Sequence, residues 1–106
     1  MNFTHVKVEV LLPEENIEKL RNELNSHGLL QVGNYDHVIS YSVVKGYWRP
    51  LEGSTPFQGA EGEISYGSEC KMEFRCSIEN MDKAKLVINE HHPYEEPVVN
   101  VVPLLE

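Results

Sequence analysis

Residues 69–78 limit the fold more than any other stretch of the chain. Cys70, Met72, Phe74, Cys76 and Ile78 alternate strictly with Glu69, Lys71, Glu73, Arg75 and Ser77. Successive side chains of an extended chain point to opposite faces, so this period of two reads as a strand. One face belongs to a core. The other is wet, or lined by charged cross-strand pairs. A helix cannot satisfy that pattern, so at least one sheet with a single buried face must form.

The other elements follow from the same kind of evidence. Residues 4–12 place Val6, Val8 and Val10 on one side and His5, Lys7 and Glu9 on the other, a second half-buried strand. Pro13 then stands at the start of a helix, with Glu14 and Glu15 near its positive dipole end. Ile17, Leu20 and Leu24 keep helical spacing, His27 falls in the last turn, and Gly28 supplies the stop. Residues 35–45 read as a strand with Tyr35, Ile39, Tyr41 and Val43 on one face and Val38, Ser40, Ser42 and Val44 on the other. Neither face is strongly polar, which predicts cover on both sides. A Gly/Pro/Ser/Thr-rich loop spans residues 46–62. Its length marks it as functional or interface-forming, and Tyr47, Trp48 and Phe57 argue that it is packed. Asn80 is a candidate N-cap for a second helix striped by Met81, Ala84, Val87, Ile88 and His91. Pro93 disfavours helical geometry at His92 and ends it. Residues 98–102 form a last strand between Pro97 and Pro103.

Strand, helix, strand, strand, helix, strand is the split βαβ, ferredoxin-like order. It predicts an α+β fold: βαββαβ, with a four-stranded antiparallel sheet and both helices on one face. A chain of 106 residues is one domain, 1–106. Valines and tyrosines on both faces of the second and last strands predict that the open sheet face meets another subunit.

Charge and composition exclude several classes. A net charge of −8 with scattered Lys and Arg argues against a nucleic-acid partner, because phosphate neutralisation needs clustered bases. No run is long enough for a membrane helix. The N-terminus lacks the basic and apolar blocks of a secretory signal, which places the protein in the cytoplasm. Cys70 and Cys76 lie six apart in one strand, about 20 Å. A disulfide needs Cα atoms within about 7 Å, so they are expected as buried free thiols.

The segment His91-His92-Pro93-Tyr94-Glu95-Glu96-Pro97 concentrates two histidines, two carboxylates and a tyrosine in a corner braced by two prolines. It comes after Gly33-Asn34-Tyr35, Gly46-Tyr47-Trp48-Arg49-Pro50, Pro56, Gly59, Gly62 and Glu69-Cys70-Lys71-Met72-Glu73, and before Pro103-Leu104. From about Gly33 to Leu104 this series resembles the middle, inserted domain of the YqfO/YbgI-type, Nif-three-like dinuclear-metal family. That insert is similar in fold to the CutA and PII proteins. The resemblance implies a CutA/PII-like fold and a homotrimer. It implies no metal ligands, because the two-metal site of the full-length relatives belongs to flanking domains not included in this sequence. It implies no hydrolase or cyclohydrolase activity for this segment either. Val44 stands where relatives often carry glycine.

The corner has three readings. As a metal site, His91, His92, Glu95 and Glu96 are the residue types that hold zinc or another divalent ion. Their spacing works against it. Adjacent helical side chains diverge by roughly 100°, and adjacent extended ones face opposite ways. As a structural turn, a carboxylate would pair with a histidine or accept backbone N–H bonds, while the Tyr94 ring fills a pocket. As a ligand-binding corner, His91, His92, Tyr94, Glu95 and Glu96 would act with Trp48 and Arg49 of the loop, touching a small anion or a nucleotide-like molecule. No phosphate-cradling motif is present. Cys70 and Cys76 sit on the apolar strand face and read as inert. His5 and His37, in strand segments, read as solvated or hydrogen-bonded. The leading expectation is a non-catalytic oligomeric binding or regulatory module. The alternatives are a divalent-metal-binding protein of CutA type and a hydrolase acting on a nucleotide-like substrate.

Overall fold

The computed structural model describes residues 2–105. Strand β1 covers His5–Leu12 and helix α1 covers Ile17–Ser26, entered through a 3-10 turn at Glu14–Asn16. Strands β2 (Ser40–Trp48) and β3 (Ser65–Ser77) form a long hairpin. A 3-10 turn at Ile78–Asn80 leads into α2 (Met81–His91), and β4 (Val99–Leu104) closes the order. The sheet runs β2-β3-β1-β4 with every pair antiparallel. The expected βαββαβ fold is therefore the one observed.

The alternation seen in the sequence becomes the core. Val6, Val8, Val10 and Leu12 of β1 lie opposite Cys76, Phe74, Met72 and Cys70 of β3 in register, and all eight are buried. Ile17, Leu20 and Leu24 of α1, Leu29 and Leu30 just after it, and Ala84, Val87 and Ile88 of α2 complete one cluster on that face. Gly28 leaves α1 at φ 74, a left-handed conformation that glycine adopts at little cost. On the opposite face Lys7 lies across from Arg75 and Glu9 across from Glu73. Lys7 resolves these like-charge pairs diagonally, reaching Glu9 and Glu73 at 3.1 Å each. Those two carboxylate contacts raise the Lys7 pKa. Cys70 and Cys76 are free and buried, and burial pushes both thiols up.

Five local expectations need correction. The second strand begins at Ser40, not residue 35, and runs on to Trp48. The residues before it are tied down by other means. Val32 and Tyr35 exchange both backbone hydrogen bonds around Gly33-Asn34, with Gly33 at φ 58. Asn25 Oδ1 accepts the His37 amide at 2.8 Å, and His37 takes φ 54. His37 is thus a left-handed loop residue rather than a strand residue. Second, the chain by itself does not cover β2 on both sides: Tyr41, Val43 and Tyr47 stand out on the helix side of the sheet, beyond the reach of the helices. Third, β3 starts at Ser65, so the irregular connection is 49–64, and Ile78 belongs to the 3-10 turn with its side chain exposed. Fourth, Asn80 occupies the N-cap position but makes no side-chain cap bond. Fifth, Pro103 lies inside β4 rather than after it, which an edge strand tolerates.

Leu24 is fully buried, whereas Leu86 on α2 is exposed. Leu24→Ala should lower unfolding free energy by about 2–5 kcal/mol. Leu86→Ala should change it by no more than about 0.5 kcal/mol. Urea titrations of both variants followed by far-UV circular dichroism check this pair.

Candidate functional site

The corner is built outward from His92. Pro93 forces His92 out of helical geometry, to φ −91 and ψ 134, and so throws its ring back over the end of β1. The Tyr94 amide donates to His92 Nδ1 at 3.1 Å. Nδ1 is therefore an acceptor, the proton sits on Nε2, and Nε2 donates to the Leu11 carbonyl at 2.6 Å. Burial pushes the His92 pKa below 6.5, outweighing the Leu11 bond, which acts the other way. The imidazole is neutral, and both of its nitrogens are occupied.

Tyr94 packs against His92 with the rings tilted by 55° and their centroids 4.7 Å apart. Its hydroxyl donates to Glu69 Oε1 at 3.0 Å. Burial first, then this carboxylate, raises the Tyr94 pKa far above the ordinary phenol value, so it stays a donor. The Tyr94 ring also meets Phe57, with centroids 5.7 Å apart. Next to it, Glu95 Oε1 accepts the Thr55 amide at 2.8 Å, across forty residues of sequence. The corner is thereby fastened to the 49–64 loop by a ring contact and a charge-assisted hydrogen bond.

The loop has its own anchor in Trp48, on the face of β2 away from the helices. The indole Nε1 donates to the Gln58 carbonyl at 3.0 Å. Glycines make the room. A Cβ on Gly59 would come within 2.6 Å of Ser65 Oγ and 3.1 Å of Trp48 Nε1, and its φ of +97 is itself unfavourable for other residues. A Cβ on Gly67 would press on the indole at 3.3 Å.

Corner and loop enclose a cleft of about 470 Å³. Trp48, Arg49, Tyr94, Glu95 and Glu96, all singled out from the sequence, line it together. His91 and His92 do not. His91 points to α1, with Nε2 3.5 Å from Glu23 Oε2, and His92 is spent on holding the corner. The proposed metal quartet of His91, His92, Glu95 and Glu96 is thus divided among three surroundings. Among the described residues no three His, Cys, Asp or Glu side chains gather as a metal site. Glu69, Leu11, Ser54 and Phe57 are also among the lining residues, and the sequence alone assigns none of them to a site. Glu69 reads as one member of a polar strand face; only the sheet register puts it beside the corner. Phe57 carried a signal as an aromatic in a Gly/Pro-rich loop.

Comparison with known proteins adds relatives to this geometry. No protein-family model matches the chain. It is 32% identical over 100 residues to a GTP cyclohydrolase 1 type 2 homolog of Staphylococcus epidermidis (strain ATCC 35984), and 30% identical over 100 residues to the homolog of Staphylococcus aureus (strain COL). Each match takes in 94% of this chain but only 27% of the relative's length. Among solved structures, a Bacillus cereus protein related to NIF3 superposes with a TM-score of 0.82 at 28% identity, over 98% of this chain and 26% of that one. The periplasmic divalent cation tolerance protein CutA of Archaeoglobus fulgidus superposes at 0.73 with 16% identity, over 96% of this chain and 85% of its own. Bacillus subtilis GlnK superposes at 0.66 with 19% identity, over 95% and 85%. The chain is homologous to a segment of about 100 residues within the NIF3-related proteins, and it shares the CutA/GlnK fold.

Because folding depresses the His92 pKa, the unfolded chain binds a proton first on acidification. The stability that His92 confers is complete above about pH 6.5 and is lost as pH falls below that value. Melting temperature should fall from pH 7.5 to 5.5, and His92→Gln should flatten that part of the profile. Gly59→Ala should displace the indole from Gln58, seen as a shift of the Trp48 Nε1–H resonance and a red-shifted, quenched tryptophan emission.

Proposed function

We propose that this chain is a non-catalytic, self-associating binding module that takes a small ligand in the cleft between the proline-braced corner and the 49–64 loop. One observation carries the reading. The two segments outside the regular elements are bonded to each other, Thr55 N–H to Glu95 and Phe57 to Tyr94, around a mostly apolar cleft with a few oriented polar groups. That is the general form of a small-molecule site.

The groups that could do chemistry are otherwise committed. His92 is neutral and bonded at both nitrogens, and Cys70 and Cys76 are buried with raised pKa values. This supports binding over a hydrolase role. A cyclohydrolase role after the names of the relatives finds no support in these residues, and this chain spans 27% of their length. A divalent-metal role on the pattern of the cation tolerance proteins fits the residues poorly, since the imidazole nitrogens of His92 are unavailable and His91 faces α1.

Self-association is supported by what the chain leaves bare. Tyr47, Val43 and Tyr66 are 75%, 62% and 58% exposed and lie together on the hairpin that β2 and β3 extend past the helices. Copies of the chain arranged as a trimer would cover that surface and the open edges of β2 and β4.

Sedimentation equilibrium should give about three times the 12.1 kDa chain mass, and Val43→Lys should shift it toward a single chain. A monomer in dilute solution ends the association half of the proposal. A thermal-shift panel of small metabolites should contain members that raise the melting temperature by several degrees in the wild type but not in Trp48→Ala. No stabilisation by any member ends the binding half.

A further inference from the structure

We infer that the cleft is selective for a small organic cation, an ammonium or guanidinium group carried on an apolar body. This rests on the preceding reading that the cleft binds a small ligand, and it supplies the ligand's chemical class.

Three aromatic residues with their rings on this side of the sheet line the cleft: Trp48, Phe57 and Tyr94. Aromatic faces carry negative potential and attract a cation held within about 6 Å of the ring centroid. The charges of the lining add in the same direction. Glu69, Glu95 and Glu96 stand against Arg49, three carboxylates to one guanidinium.

Two of those carboxylates are held in place by the protein without being used up. Glu69 gives one oxygen to the Tyr94 hydroxyl and Glu95 gives one to the Thr55 amide. Their second oxygens, and both oxygens of Glu96, meet no hydrogen-bond or ion-pair partner among the described residues. Ser54 adds a hydroxyl that can accept or donate. Its Oγ is shut from solvent, has no hydrogen-bond partner, and belongs to the lining.

The opposite charge class fits badly. A phosphate or carboxylate ligand would have Arg49 as its one cationic partner in the lining, and would enter against three carboxylates on a chain of net charge −8. Anion sites depend on several converging donors. The cleft therefore favours a positive head among acceptors and rings, with the ligand's apolar body against Leu11, Pro50 and Val98.

The test uses the full chain and its single tryptophan, Trp48, as the reporter. Phenethylamine, 2-phenylethanol and phenylacetate share one ring and carry positive, zero and negative charge at pH 7. Each is titrated while the Trp48 Nε1–H resonance is followed. Phenethylammonium should bind saturably, at least fivefold more tightly than the alcohol. Phenylacetate should bind more weakly than either. Glu96→Gln, which removes a charge bonded to nothing in the protein, should weaken the cation at least threefold while leaving the melting temperature and the affinity for the alcohol unchanged. Raising salt should weaken the cation alone. Equal or tighter binding of phenylacetate, or no effect of Glu96→Gln, overturns the cation inference and leaves the cleft standing as a binding site. Failure of all three probes to move the resonance overturns both.

Discussion

The antiparallel pairing of β1 with β3 is the constraint from which the rest of the molecule follows. Val8 opposite Phe74 and Val10 opposite Met72 set which residues face the helices. A slip of one residue would send Lys7 and Glu9 into the core and the valines into water. The same register decides the outer face, where Lys7 bridges Glu9 and Glu73. It also brings Glu69 near the end of β1, where the Leu11 carbonyl waits for His92. Core and cleft are two faces of one alignment.

The cleft depends on a chain of dependent contacts rather than on a motif. Pro93 ends α2 and turns His92 onto β1. His92 then fixes the Tyr94 amide, Tyr94 reaches Glu69 and Phe57, and Glu95 holds Thr55. Each step is one hydrogen bond or ring contact, worth about 1 kcal/mol alone. Their joint effect is to hold a sixteen-residue connection, 49–64, against the sheet, where a free loop of that length would be costly to order. One of the two histidines read as candidate metal ligands, His92, serves as the fastener, and the carboxylates beside it, Glu95 and Glu96, line the cleft.

Homology and function separate cleanly at this site. The relatives named as GTP cyclohydrolase 1 type 2 homologs share this segment over about a quarter of their length. CutA and GlnK share the fold at identities where fold alone is transferable. What the segment does must therefore come from its own surfaces: an aromatic, acid-rich cleft on one side of the sheet and a bare tyrosine-valine hairpin on the other.

Elements with regular period were legible in the sequence: the β1 and β3 alternation, the Ile17-Leu20-Leu24 stripe, the stop at Gly28 and the end of α2 at His92. These are local facts, because side-chain periodicity and the backbone limits of glycine and proline act within a few residues. The limits of β2 were not legible. Its apparent period continued into Tyr35–Ile39, where the Asn25 side chain captures the His37 amide from another element. The cleft was half legible. Trp48, Arg49, Tyr94, Glu95 and Glu96 stood out by type, but nothing local assigned Glu69 and Ser54 to it or turned His91 and His92 away. Bonds that span forty or eighty residues form only when the sheet brings their partners within hydrogen-bond range, and so tertiary structure alone decided which polar groups converge.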